Sequence, residues 1–208
     1  QKTLRDERRG VLYVFYDDNQ MLYTENLSFP PVDTRYDLTE NCRNVRRIHD
    51  LMTRYYRSDR RITSRASAGP RPELTVYRTP AELLAAVDRT LKRLAGDGQI
   101  GPRQIAILTG HGKQKSRVWK QKTFAGLTLV ERPSDRMTDI LWSTIHAFKG
   151  LERAAVILAE IEPLSHAELD TLLYVGCSRA RVVLSIIASE AAATLGRLDK
   201  LVPAANEH

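Results

Sequence analysis

The chain of 208 residues has two cysteines, Cys42 and Cys177, and they form neither a CxxC pair nor a zinc-ligand pattern. That excludes a disulfide-stapled scaffold and leaves reduced thiols in a cytoplasmic protein as the expectation. No apolar run approaches the ~20 residues of a membrane helix, and the polar start "QKTLRDERRG" is no signal peptide. Position 1 is Gln rather than Met, so a processed chain or a piece of something longer is expected. Internal repeats and low-complexity tracts are lacking. So is a P-loop: "LTGHGKQ" contains Gly-Lys after a strand, but Ile107 stands where the motif's first glycine belongs and Gln114 where it needs a hydroxyl. No strand ends in the Asp-Glu pair that would hold Mg²⁺.

Lysine is scarce as well. Of 32 basic residues 24 are arginine, and the net charge is +7. Arginine recognises phosphate through a rigid bidentate fork, so this balance favours a polyanionic partner. "HGKQKSRVWKQK" (111–122) gathers Lys113, Lys115, Arg117, Lys120 and Lys122 around a tryptophan with no acid among them. Such a segment suits a nucleic-acid backbone with a stacked base, or else a solvated loop and helix. With 42% hydrophobic and 27% charged residues, the composition is that of a soluble globular chain, one sizeable domain or one domain plus a fragment.

Strand-length apolar runs alternate with segments of helical period. "VLYVFY" (11–16), "LTVYR" (74–78), "QIAILT" (104–109), "LTLVE" (127–131), "DILWSTI" (139–145), "AAVILAEI" (154–161) and "VVLSIIA" (182–188) predict strands. The stretch 44–57 places Val45, Ile48, Leu51, Met52 and Tyr55 on one helical face, with arginines opposite. Further helices are predicted from about Pro80 to Ala95 and over 165–176, where Ser165 and Glu168 form a capping box. Runs such as "AAVILA" imply strands buried on both faces, hence a mostly parallel sheet with helices on both faces. Such α/β sheets bind ligands at the carboxyl ends of their strands, and the two densest polar clusters, "STIHAFKGLE" (143–152) and "LLYVGCSRAR" (172–181), follow apolar elements.

Those two clusters resemble motifs V and VI of the UvrD/Rep-type superfamily 1 helicases, T-x-H-x-x-K-G-L-E and L-x-Y-V-x-x-[ST]-R-A-[RK]. "LTENCRN" (38–44) resembles motif IV, and "YDDNQ" (16–20) resembles motif III with Tyr16 replacing its glycine. The four occur in family order. The spelling is most similar to compact helicase-like ATPases often fused to nuclease-related domains. The resemblance implies the second RecA-like motor domain of an ATP-dependent DNA helicase or translocase, without its own P-loop. Residues 1–25 would be the last strand of the first domain, and 26–208 the second domain. The P-loop and the Mg²⁺ ligands would belong to the missing first domain, a partner alongside single-stranded DNA.

By that resemblance Arg43 and Arg179 reach the γ-phosphate of ATP and Gln20 senses it, with Asp17 beside it in motif III. Gly150 and Glu152 face the nucleotide, Glu152 toward the ribose, while Thr144 and His146 face DNA. Ordinary roles exist for each residue. Arg43 could pair with Glu40, Glu152 with Arg153 or Lys149, and Arg179 and Arg181 could complement a helix dipole. His146 could be a satisfied buried histidine, and Trp142 and Tyr174 read as packing residues. Cys42 and Cys177, next to these arginines, would both border the nucleotide cleft. A module that holds nucleic acid or a protein without turnover is the competing expectation.

Overall fold

The computed structural model describes residues 34, 36–57, 61–96 and 98–201. The predicted strand at 11–16, Asp17, Gln20 and the expected first-domain segment 1–25 lie outside the described residues.

The predicted apolar runs become strands β1 (Glu73–Tyr77), β2 (Ile105–Thr109), β4 (Leu127–Val130), β5 (Asp139–Thr144), β6 (Arg153–Ile161) and β7 (Ala180–Ser189), joined by a short β3 (Thr123–Phe124). They form a seven-stranded sheet in the order β1-β7-β6-β2-β5-β4-β3, parallel throughout except for the β3–β4 hairpin. Every position of central strand β2 is buried, as a strand covered on both faces requires.

The described helices are α1 (Arg46–Met52), α2 (Pro80–Gly96), α3 (Arg117–Gln121), α4 (His166–Cys177), α5 (Glu190–Leu195) and α6 (Leu198–Leu201). One core joins α1 and α4 to the sheet through Ile48, Leu51, Leu158, Leu172 and Leu173; the other joins α2 and α3 through Leu83, Leu91, Ile107, Val118 and Ile157. Each such fully buried aliphatic side chain contributes about 1.5–3 kcal/mol. The first helix is shorter than its periodic pattern: after Met52 a 3-10 turn, Thr53–Tyr55, carries the same apolar face to Tyr55, whose hydroxyl donates to the Gly196 carbonyl. The capping box of α4 forms as expected, with Glu168 N–H donating to Ser165 Oγ at 3.3 Å and Ser165 N–H to Glu168 Oε2 at 3.2 Å. No helix among the described residues is long and apolar enough to cross a membrane.

Register sets the two edges of the sheet at which the polar clusters lie. Thr109 pairs with both Thr144 and Ala159, so β2 and β5 end level at the carboxyl edge while β6 runs on to Ile161. At the other edge Arg153 opens β6 beside Ala180 of β7. Since α4 starts after the carboxyl end of β6 and ends just before β7, it runs back across the sheet and delivers Ser178 and Arg179 to the amino edge. The expectation that both polar clusters sit near carboxyl ends therefore holds for Thr144 and His146 and is corrected for Glu152 and Arg179.

Candidate nucleotide and nucleic-acid edges

The loop 145–152 connects the edges. Ile145 and Phe148, three residues apart, are buried in the core and anchor it, while Ala147, Lys149, Gly150 and Leu151 face outward. Thr144 Oγ1 accepts from Ala147 N–H at 3.0 Å, and its carbonyl accepts from Phe148 N–H at 3.0 Å, so Thr144 starts the turn it is expected to work from. Gly150 has φ +85° with open space around its missing side chain. Backbone conformation, not crowding, calls for glycine there. His146 is partly buried, and desolvation holds its imidazole below the ordinary value, so at neutral pH it is uncharged.

At the amino edge three segments distant in sequence meet. Arg43 Nε lies 2.9 Å from Glu152 Oε2, and Arg181 Nε lies 3.5 Å from Glu152 Oε1. Glu40 pairs with Arg65 rather than with Arg43, and the Glu152 carboxylate bridges two arginines. All three side chains stay well exposed. Beneath them Asn44 is buried and donates to the carbonyls of Ser178 at 3.2 Å and Ala180 at 2.6 Å. Val45 N–H donates to the Arg181 carbonyl, and Arg153 N–H to the Arg179 carbonyl. The segments around Asn44, Glu152 and Arg179 are stitched together by backbone and amide bonds, with the charged cluster on top.

Arg179 is only 1% exposed. Its guanidinium donates to the Val175 carbonyl at 3.1 Å, to Ser178 Oγ at 2.8 Å and to the Leu151 carbonyl at 3.5 Å, tying the end of α4 to the 145–152 loop. Arg43 and Arg181 are thus the guanidiniums of this cluster that present themselves to solvent. Cys177 faces the core and burial pushes its thiol up to about 12, whereas Cys42 is exposed. The expectation that both thiols border a cleft is corrected: α4 turns Cys177 inward, among the residues that seal its packing on the sheet.

The basic stretch emerges from β2 at the carboxyl edge, level with Thr144. Its tryptophan is not offered to a base. Trp119 is buried against Trp142 with ring centroids 4.5 Å apart, and Lys122 Nζ lies 2.9 Å and Lys113 Nζ 5.0 Å from the Trp119 ring centre. The stacked-base expectation fails because the ring completes the core under α2 and α3. Nor is the stretch free of acids in space: Lys113 pairs with Glu131 at 2.6 Å and Arg117 with Glu162 at 3.2 Å. Lys115 and Lys120 are exposed, with no ion-pair partner among the described residues.

Two residues missed in the sequence organise this edge. Glu162 accepts from Tyr77 OH at 3.4 Å and contacts His111 Nε2 at 2.9 Å; burial pushes its carboxyl up, but His111 and Arg117 outweigh that and hold it below the ordinary value. Glu160 is wholly buried. The signal that pointed to it was an acid inside the apolar run "AAVILAEI".

Residues 139–187, from β5 through most of β7, match the family model of the UvrD-like helicase C-terminal domain. This stretch is similar to UvrD-like helicase sequence. The match contains Thr144, His146, Gly150, Glu152, Arg179 and Arg181, so the UvrD-like stretch includes both ends of the 145–152 loop. The fold is similar to the crystal structure of the C-terminal domain of a possible DNA helicase from Lactobacillus plantarum WCFS1. The TM-score is 0.53 at 19% identity, over 75% of this chain and 94% of that one. No curated protein matches the chain.

Proposed function

We propose that this chain is the second RecA-like motor domain of a superfamily 1 DNA helicase or translocase. Its amino edge would face ATP and its carboxyl edge single-stranded DNA. The observation that carries the reading is the 145–152 loop, with Thr144 and His146 at one edge of the sheet and Glu152, held by Arg43 and Arg181, at the other. A single anchored loop that reaches both edges is the mechanical element such a motor requires.

The residues fit an outer contact to a nucleotide. Two exposed guanidiniums suit phosphate charge, and Glu152 can accept from hydroxyls. A bound nucleotide with Mg²⁺ would supply the phosphoryl group to be hydrolysed, and its phosphate cradle would come from a P-loop domain across the cleft. Within this chain, Arg43 and Arg181 stabilise negative charge. Arg179, beneath them, fixes the spacing of motifs V and VI and stands ready to add a third guanidinium if the cleft closes. At the carboxyl edge a neutral His146, Lys115 and Lys120 offer hydrogen bonds and charge to a phosphodiester backbone.

The test is ATP hydrolysis beside single-stranded DNA binding, at about 50 and 200 mM salt. It is run on this chain and on a chain that also carries a P-loop domain ahead of it. The chain alone should bind DNA weakly, lose that binding with salt and show no turnover, while the longer chain hydrolyses ATP when DNA is added. Robust DNA-stimulated hydrolysis by the 208-residue chain alone would sink the half-motor reading. The burial of Arg179 favours a second reading, a binding module without turnover, and an inert longer chain would select it.

A further inference from the structure

At residue 160 the edge of the sheet is irregular in a way that a strand does not adopt for packing alone. β6 and β7 pair as Leu158↔Ile186 and then Ile161↔Ala188, so β6 spends one residue more than β7 over this step. Glu160 sits in that bulge with φ +55°, in the left-handed region. A bulge re-aims the side chain it carries. Alternation would put Glu160 with Leu158 on the α1/α4 face; instead its carboxylate meets α3, which belongs to the opposite core. Oε1 accepts from the backbone N–H of Arg117 at 2.5 Å and of Val118 at 3.2 Å, while Oε2 is buried with no hydrogen-bond partner.

A buried carboxylate, half of it unsatisfied, on left-handed backbone is a poor way to stabilise a sheet. What it holds is the start of the basic segment. The turn before α3 is closed by Ser116 N–H donating to the Gly112 carbonyl, and Ser116 Oγ caps Trp119 N–H. Those bonds are internal to the segment. Glu160 ties it to the sheet, and Glu162, two residues on, adds Arg117 and His111. We infer that Glu160 is a positioning residue for nucleic-acid binding: it seats residues 111–122, with the exposed Lys115 and Lys120, where β2 leaves the carboxyl edge level with Thr144. This rests on the proposed DNA-facing role of that edge.

The roles separate in two variants. Glu160→Ala removes the acceptor. Glu160→Gln keeps one oxygen for the two amides and removes the charge. Each is compared with the parent chain by limited trypsin digestion, by binding of a single-stranded oligodeoxynucleotide across a salt series, and by thermal unfolding. In Glu160→Ala, cleavage after Lys113, Lys115, Arg117 or Lys120 should be at least about tenfold faster, as local opening governs proteolysis. Its salt slope should become shallower by about 1.4, the share of two lysine–phosphate contacts on a single strand. Glu160→Gln should match the parent in both. If Glu160→Ala does not fold, Arg117→Pro reports instead: proline suits the first helical position but deletes the shorter donor to Glu160. It should open the segment and weaken binding beyond Arg117→Ala.

An unchanged digestion pattern in Glu160→Ala and in Arg117→Pro overturns the seating. Equal losses in Glu160→Ala and Glu160→Gln also overturn it, since charge and not the acceptor would then matter. Lys115→Gln/Lys120→Gln separates this inference from the proposed function. If that double variant loses DNA binding and the opened segment does not, positioning fails and the DNA-facing reading stands. If neither loses binding, the DNA-facing reading of the segment fails first.

Discussion

Arg43 and Glu152 form an ion pair, Nε to Oε2 at 2.9 Å, between a loop ahead of the first helix and the last residue before β6. Arg181 reaches the same carboxylate from β7. The cluster is exposed, so its bearing on stability is small, about 0–1 kcal/mol. Its consequence is electrostatic: Glu152 neutralises two exposed arginines, which under the proposed function would both face a phosphate.

Glu152→Gln should therefore leave the unfolding midpoint of this chain almost unchanged while tightening its binding of inorganic tripolyphosphate several-fold. Calorimetric titration beside a thermal melt checks this. Weaker binding in the variant would mean that Glu152 orients the two arginines more than it offsets them.

Asn44 is the opposite case, buried and neutral. Asn44→Ala leaves the Ser178 and Ala180 carbonyls without their donor, at a cost of about 1–3 kcal/mol. Urea unfolding should show the midpoint falling with the slope unchanged. A loss under half of that range would show that solvent replaces the amide.

Phe148 anchors the 145–152 loop with 1% exposure. Truncation to alanine should cost about 3–5 kcal/mol by the cavity it opens. At temperatures where the variant remains folded, DNA binding should weaken as well, because Thr144 and Glu152 lose their fixed separation. Full DNA affinity in a folded Phe148→Ala variant would argue that the loop's anchoring does not matter to that edge.

The thiols separate cleanly. A bulky aromatic disulfide reagent should titrate one cysteine in the native chain, Cys42, and two after unfolding. Cys177 keeps its proton up to about 12 when folded, whereas the unfolded thiol loses it from near its ordinary value of 9.0. Between those values the unfolded state binds fewer protons, so this group's contribution to stability is present below pH 9 and is lost as pH rises. Cys177→Ser should change the alkaline limb of a stability–pH curve, and an identical limb would refute the assignment.

At acid pH the group to watch is Glu162. Its folded-state carboxyl is held below the ordinary 4.5, so it stabilises the fold above that value and the contribution disappears as pH falls through the depressed range. Glu162→Gln should flatten the acid limb of unfolding below about pH 4.5. An acid limb as steep as the parent's would assign that sensitivity to other carboxylates.

The local elements were legible in the residues themselves. Apolar runs of strand length bounded by turn residues read as strands buried on both faces, and the spacing of Ile48, Leu51, Met52 and Tyr55 or the Ser165–Glu168 box marks a helix within a turn or two of chain. The spelling of 143–152 and 172–181, both inside the stretch 139–187 that is similar to the UvrD-like family, was legible for the same reason: its information is contiguous. What only tertiary structure decided is where distant segments meet. The return of α4 across the sheet moved Glu152 and Arg179 to the amino edge, packing against Trp142 withdrew Trp119 from any base, and a single extra residue in β6 turned Glu160 onto α3. Each depends on register and on which side chain fills a space left by a residue far away in the chain, and neither periodicity nor spacing along one segment records that.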